Sequence, residues 1–331
     1  MLQAHEGENT INIQQSLATA GQHLDAGRLP EAANIYQQIL HSDPNQPVAL
    51  HLLGIVSFQM GKPDNAIELV TKAAASAPTY FDAHCDLGNI FNELGRLDDA
   101  IASYRRTVEV KPDFFMAHCN LGVALQRMGK LDEAIDSFRK ALAIQPDFVD
   151  AQFNLATVLS DQGKLDEAFA SFRKVLAISP GFIHAHCNLG VVLKKMGRFD
   201  EAADSYRKAL AIDPGFAEVH NNLGIVLAKL GRLDEAIASY RKALSINPKL
   251  VDAHFNLGNA LRGLKKLDEA VASFREALAI KPDLTEAIGS LGSVLLAMGD
   301  LQEGLAMEEK GFGVITFITG KGVLINQGCL N

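Results

Sequence analysis

Apolar and small residues return along this chain with two nested periods. The short one is helical: in the stretch from 115 to 127, His118, Leu121, Gly122 and Leu125 fall at the i, i+3, i+4, i+7 spacing of one buried face. The long one is 34 residues, set by prolines at 44, 78, 112, 146, 180, 214, 248 and 282. With that proline as position 32, repeats begin at 13, 47, 81, 115, 149, 183, 217 and 251, and a partial one begins at 285. Position 7 is then leucine from Leu53 to Leu291, position 20 is alanine from Ala66 to Ala270, and position 24 is aromatic at Tyr36, Tyr104, Phe138, Phe172, Tyr206, Tyr240 and Phe274. Each repeat reads as two helices whose apolar faces meet, with the ring between them.

The punctuation agrees. Position 15 is glycine at 27, 61, 95, 129, 163, 197, 231 and 299, where the first helix should stop in a left-handed C-cap. Lys265 replaces it once, which predicts a strained turn. Position 8 is also glycine in most repeats, for instance Gly88, Gly122, Gly190, Gly224 and Gly258. Mid-helix glycine costs about 1 kcal/mol against alanine, so a steric demand is expected, assigned here to close approach of the position-20 alanine. Acidic pairs such as Asp132–Glu133 and Asp234–Glu235 open the second helix, and basic pairs such as Arg139–Lys140 and Arg241–Lys242 lie toward its end, both as the helix dipole favours.

These positions are the tetratricopeptide pattern. Residues 118–146, HCNLGVALQRMGKLDEAIDSFRKALAIQP, resemble a near-consensus copy, and the resemblance spans roughly 13–310. It implies an all-α, right-handed α-solenoid superhelix of about 8.5 helix–turn–helix repeats, first helices lining the concave face and second helices the convex one, each repeat buried only against its neighbours. Position 4 departs from the family's large aromatic, being His84, His118, His186, His220 and His254, so packing there is expected to be looser or partly polar. Residues 1–12 read as a flexible, polar N-terminus, and the ninth repeat takes a polar face through Gln302, Glu303, Glu308, Glu309 and Lys310, as a terminal cap would. The tail, 311–331, changes character: VITFI and VLIN flank TGKG, the pattern of a β-hairpin. A cap, an assembly element and the remnant of a missing domain are all compatible with it.

Within the first helix, positions 2, 5, 6, 9, 12 and 13 share the face turned away from the core. Position 6 is Asn120, Asn154, Asn188, Asn222 and Asn256, and position 9 adds Asn89 and Asn259. An amide that both donates and accepts suits the backbone of an extended peptide; the same side chain could equally bond neighbouring helices. An asparagine ladder here is similar to the tetratricopeptide arm of O-linked N-acetylglucosamine transferases, where the resemblance implies a grip on substrate backbones. Cys85, Cys119, Phe153, Cys187, Asn221 and Phe255 at position 5 suggest a partly apolar strip beside it. Asp82, Asp86 and Glu93 make the third repeat acidic, while Lys194, Lys195, Lys229 and Arg262 make repeats six to eight basic. Peptide-binding residues are therefore expected at Asn89, Asn120, Asn154, Asn188, Asn222, Asn256, Asn259, Lys194, Lys195, Lys229 and Arg262.

Composition narrows the classes. A net charge of −8 over 331 residues lacks the basic footprint of nucleic-acid binding. No apolar run reaches a membrane span and no leader pattern opens the chain, so a cytoplasmic location is expected. The three His–Cys pairs at 84–85, 118–119 and 186–187 invite a zinc reading, but adjacent helical residues point about 100° apart and no pair can chelate one ion; no metal and no cofactor are expected. GFGVITFITGKGV has six residues between Gly313 and Gly320 where a phosphate loop has four. No catalytic constellation stands out, and the residues after the last full repeat are too few for a nucleotide-sugar fold. The expectation is a non-enzymatic scaffold binding a protein or peptide partner, or alternatively a recruiting arm related to sugar transferases; self-association through the array ends is a third.

Overall fold

A computed structural model describes residues 12–312; from residue 313 on, the tail expected to form a hairpin lies outside the described residues. These fold into eighteen helices and, among the described residues, no strands. The first helices of successive repeats are α1 (Ile13–Asp25), α3 (Pro47–Gln59), α5 (Phe81–Glu93), α7 (Phe115–Arg127), α9 (Val149–Asp161), α11 (Ile183–Lys195), α13 (Ala217–Lys229), α15 (Val251–Gly263) and α17 (Thr285–Met298). The second helices are α2 (Leu29–Ser42), α4 (Pro63–Ser76), α6 (Leu97–Val110), α8 (Leu131–Ile144), α10 (Leu165–Ile178), α12 (Phe199–Ile212), α14 (Leu233–Ile246), α16 (Leu267–Ile280) and α18 (Leu301–Phe312). The described residues form two compact units divided between Gly163 and Lys164, the first with α1 to α9 and the second with α10 to α18. In each, a helix packs on its neighbours in sequence, and first helices also touch the next first helix, as α3 does α5 and α13 does α15. This is the all-α solenoid of helical hairpins that the 34-residue period predicts.

The first helices end as expected. The position-15 glycines hold φ between 70° and 89°, and Lys265 is held at φ 59°, the left-handed conformation that its side chain disfavours. At α7 the Gly129 N–H donates to Gln126 and the Lys130 N–H to Leu125, which satisfies carbonyls left over by the helix.

The position-24 rings are at most 2% exposed, and they, rather than the alanines, explain the position-8 glycines. A Cβ at Gly88, Gly122, Gly190, Gly224 or Gly258 would lie 2.5–2.7 Å from a carbon of the facing ring. At Gly54, where position 24 is Val70, the valine methyl would stand at 2.5 Å and the Ala66 carbonyl at 3.2 Å. The dipole reading of the basic pairs is corrected too. The second helices from α4 to α16 carry no base in their last turn, and the dipole acts only there. Their position-25 arginines instead reach the next second helix: Arg105 pairs with Glu133, Arg241 with Glu269 and Arg275 with Glu303, at 2.6–2.8 Å. All are exposed pairs, worth about 0–1 kcal/mol each.

The position-4 histidines are partly polar packing of a defined kind. Nε2 of His84, His118, His186, His220 and His254 lies 2.9–3.1 Å from the carbonyl of the position-32 proline six residues earlier. A carbonyl only accepts, so Nε2 carries the proton and donates. The imidazole thus ties each first helix to the proline turn that precedes it. Burial holds His220 below its ordinary value, which keeps that ring neutral.

Candidate functional site

The outward positions of the first helices are half-buried in a consistent way. Asn89, Asn120, Asn154, Asn188, Asn222, Asn256 and Asn259 are all intermediate in exposure, between the buried position-7 leucines and the solvent. Lys195, Lys229 and Arg262 are exposed, and Lys194 is half-buried.

In unit 1 the structure joins part of the ladder into a network across three repeats. His51, 4% exposed on α3, places Nδ1 2.9 Å from the Tyr80 hydroxyl and Nε2 2.8 Å from Asp86 Oδ2 on α5. Asn89 Nδ2 donates to Asp86 Oδ1 at 3.0 Å. Asn89 Oδ1 in turn accepts from the Tyr104 hydroxyl at 2.8 Å and from Asn120 Nδ2 on α7 at 3.0 Å. An ionised carboxylate offers no proton, so His51 Nε2 donates to Asp86. Burial, with Asp82 and Asp86 nearby, pushes the Tyr80 hydroxyl up to about 12.

In unit 2 the joins are shorter. Asn256 Nδ2 donates to Asn221 Oδ1 at 3.1 Å, and Lys194 Nζ approaches Asn222 Oδ1 at 3.5 Å. Burial, with Lys195 beside it, holds the Lys194 ammonium below its ordinary value. The bonding of neighbouring first helices is therefore one demonstrated use of these amides. Asn120 and Asn256 each spend one donor there and keep further bonding capacity.

Models of the tetratricopeptide repeat match residues 23–70, 88–129, 115–148, 137–170, 157–197, 192–231, 226–264 and 251–284. This chain is a tetratricopeptide-repeat protein. Solved structures agree with the fold. A structure of YrrB, titled as a tetratricopeptide protein with an unusual peptide-binding site, has 22% identity and a TM-score of 0.51, over 60% of this chain and 98% of that one. The pilF protein of Pseudomonas aeruginosa has 20% identity and a TM-score of 0.54, over 62% and 94%. MamA of Desulfovibrio magneticus RS-1, residues 41 to the end, has 20% identity and a TM-score of 0.50, over 51% and 96%. No curated protein matches significantly. At these identities the likeness is one of fold.

The tetratricopeptide geometry corrects one expectation. Cys85, Cys119 and Asn221 at position 5 are only 5–7% exposed, so they belong to the seam between first helices and not to an apolar strip on the open face. Phe153, Cys187 and Phe255 are half-buried. Two thiols are held protonated by burial, Cys85 up to about 12 and Cys119 up to about 11. They are poor nucleophiles there, since the thiolate is the reactive form. Among the described residues, no helix is long and apolar enough to cross a membrane.

Two features were missed in the sequence. His51 stands at position 5 one repeat before the histidines at position 4, and only its partners show its role. A cavity of about 830 Å³ opens in unit 2 between the second helices α10 and α12, over α11, walled by Phe169, Leu176, Leu193 and Ile212. Its one sequence signal is Phe169, where Ile101, Ile135 and Ile237 stand in other repeats. Arg173 and Lys208 there face Glu201 and Asp204, so the walls carry no net charge.

Proposed function

We propose that this protein is a non-catalytic interaction scaffold whose first-helix faces hold an extended segment of a protein partner. The observation that supports it is the run of half-buried amides at positions 6 and 9, in which Asn120 and Asn256 keep bonding capacity beyond their links to a neighbouring helix. An extended peptide presents alternating N–H and C=O groups, and fixed amides meet both at little entropic cost. Within unit 2, the basic groups Lys194, Lys195, Lys229 and Arg262 supply orientation more than affinity.

The test uses an array of degenerate nonapeptides and the full chain. Asn154→Ala, Asn188→Ala and Asn222→Ala combined should lower retention on the array about tenfold or more, since each lost bond to a half-buried amide is worth about 1 kcal/mol. Far-UV circular dichroism and the melting midpoint should stay nearly unchanged. Undiminished retention removes the amide grip. The alternative, a recruiting arm for a sugar-transferring enzyme, shares the ladder and adds a catalytic partner; no observation in this structure favours it.

A further inference from the structure

On the open side of unit 1, two cavities meet at Asn89. The larger, about 420 Å³, is walled by Ile55 and Phe58 of α3 and by Asp86, Asn89, Ile90 and Glu93 of α5. The smaller, about 200 Å³, continues past Asn89 and Glu93 to Asn120 and Val123 of α7. No lysine or arginine lines either one. Arg127 stands beside Asn92, and its guanidinium is engaged there, donating to the Asn92 carbonyl at 2.7 Å and to Oδ1 at 2.6 Å.

The two carboxylates in the larger cavity differ. Asp86 is held from behind by His51 and Asn89, one bond to each oxygen, with its side chain 35% exposed. A carboxylate accepts about four hydrogen bonds, so its open side is unsatisfied. Glu93 makes no hydrogen bond or ion pair among the described residues, whereas the exposed acids of the second helices Glu133, Glu235 and Glu269 all pair with arginine. A held and an unpaired negative group therefore share one recess with apolar walls.

We propose that this recess takes a single arginine side chain of the bound segment, its guanidinium between Asp86 and Glu93 and its methylene stem along Ile55, Phe58 and Ile90. Arginine fits better than lysine on three counts. Its planar fork satisfies a carboxylate through two parallel bonds, its five donors are enough to serve both acids, and its face stacks on an aromatic ring such as Phe58. The network behind Asp86 holds the acceptor in place before binding, which lowers the ordering cost. The inference rests on the peptide-scaffold reading and assigns one pocket of it.

The experiment compares two nonapeptide pools, identical except for a fixed central arginine in one and its neutral isostere citrulline in the other, each presented to the full chain. At low ionic strength the arginine pool should be retained about tenfold better or more, the size of one charge-assisted bond. Added salt should shrink the margin. Glu93→Gln, at an exposed side chain whose change leaves the fold alone, should bring the two pools within about twofold of each other. Equal retention of both pools by the parent chain overturns the arginine pocket, as does a preference that survives both Glu93→Gln and Asp86→Asn. If equal retention is also abolished by the triple asparagine substitution, the amide scaffold stands and the pocket alone falls. If neither pool is retained, both fall.

Discussion

Two tyrosines at the same repeat position show how far one residue's fate depends on its partner in the same repeat. Tyr104 and Tyr206 are both buried at position 24, but Tyr104 donates to Asn89 at position 9, while position 9 of the other repeat is Val191. The Tyr206 hydroxyl is buried with no protein partner. An unmade buried hydrogen bond costs about 1–3 kcal/mol and a made one contributes about 1 kcal/mol. Tyr104→Phe should therefore destabilise by about 1 kcal/mol and Tyr206→Phe should leave stability unchanged or raise it by up to about 1 kcal/mol. Urea denaturation of the two variants decides it, and equal losses would show that the hydroxyls do not differ. The sequence displayed the aromatic period but not this difference. A ring at position 24 follows from volume, whereas a hydroxyl bond depends on the residue fifteen places before and on rotamers that no spacing reveals.

Among elements, the first-helix seam of unit 1 stores protons. Burial raises Cys85 from 9.0 to about 12, Cys119 from 9.0 to about 11 and Tyr80 from 10.0 to about 12. The folded chain thus binds these protons more tightly than the unfolded one, and their contribution to stability is complete below about pH 9. It falls as the unfolded thiols and then the phenol ionise, and is lost as pH climbs through 11 to 12. Urea midpoints under reducing conditions should be level from pH 7 to 8.5 and clearly lower at pH 10.5; a flat profile would place these side chains in water. Helix starts and stops were legible from proline, glycine and acidic pairs, because backbone conformation answers to local residue type. The Lys265 turn was legible for the same reason. The lateral links, Arg105 to Glu133 or Asn120 to Asn89, join residues 28 and 31 apart. Those distances in sequence become neighbours only once the hairpins stack, so spacing suggested the amide face but not which amides are already engaged with one another.

Over the whole molecule, connectivity decides how disturbance spreads. Within each unit, helices pack mainly on their neighbours in sequence, with lighter contacts between alternate first helices and surface ion pairs between alternate second helices, so stability is close to a sum of repeats and their interfaces. Local damage should stay local. Gly88→Ala is a suitable probe: the new Cβ would lie 2.6 Å from the ring of Tyr104, which is 1% exposed and has no room to retreat. The alanine gains about 1 kcal/mol of helix propensity, and overpacking a filled core costs about 1–3 kcal/mol, so strain should win. Amide hydrogen exchange should then show faster exchange in α5 and α6, a smaller increase in α4 and α7, and unchanged protection in α15 and α16. A uniform rise across all helices would mean that the repeats unfold as one cooperative body, and that the nearest-neighbour contacts do not govern the energetics of the array.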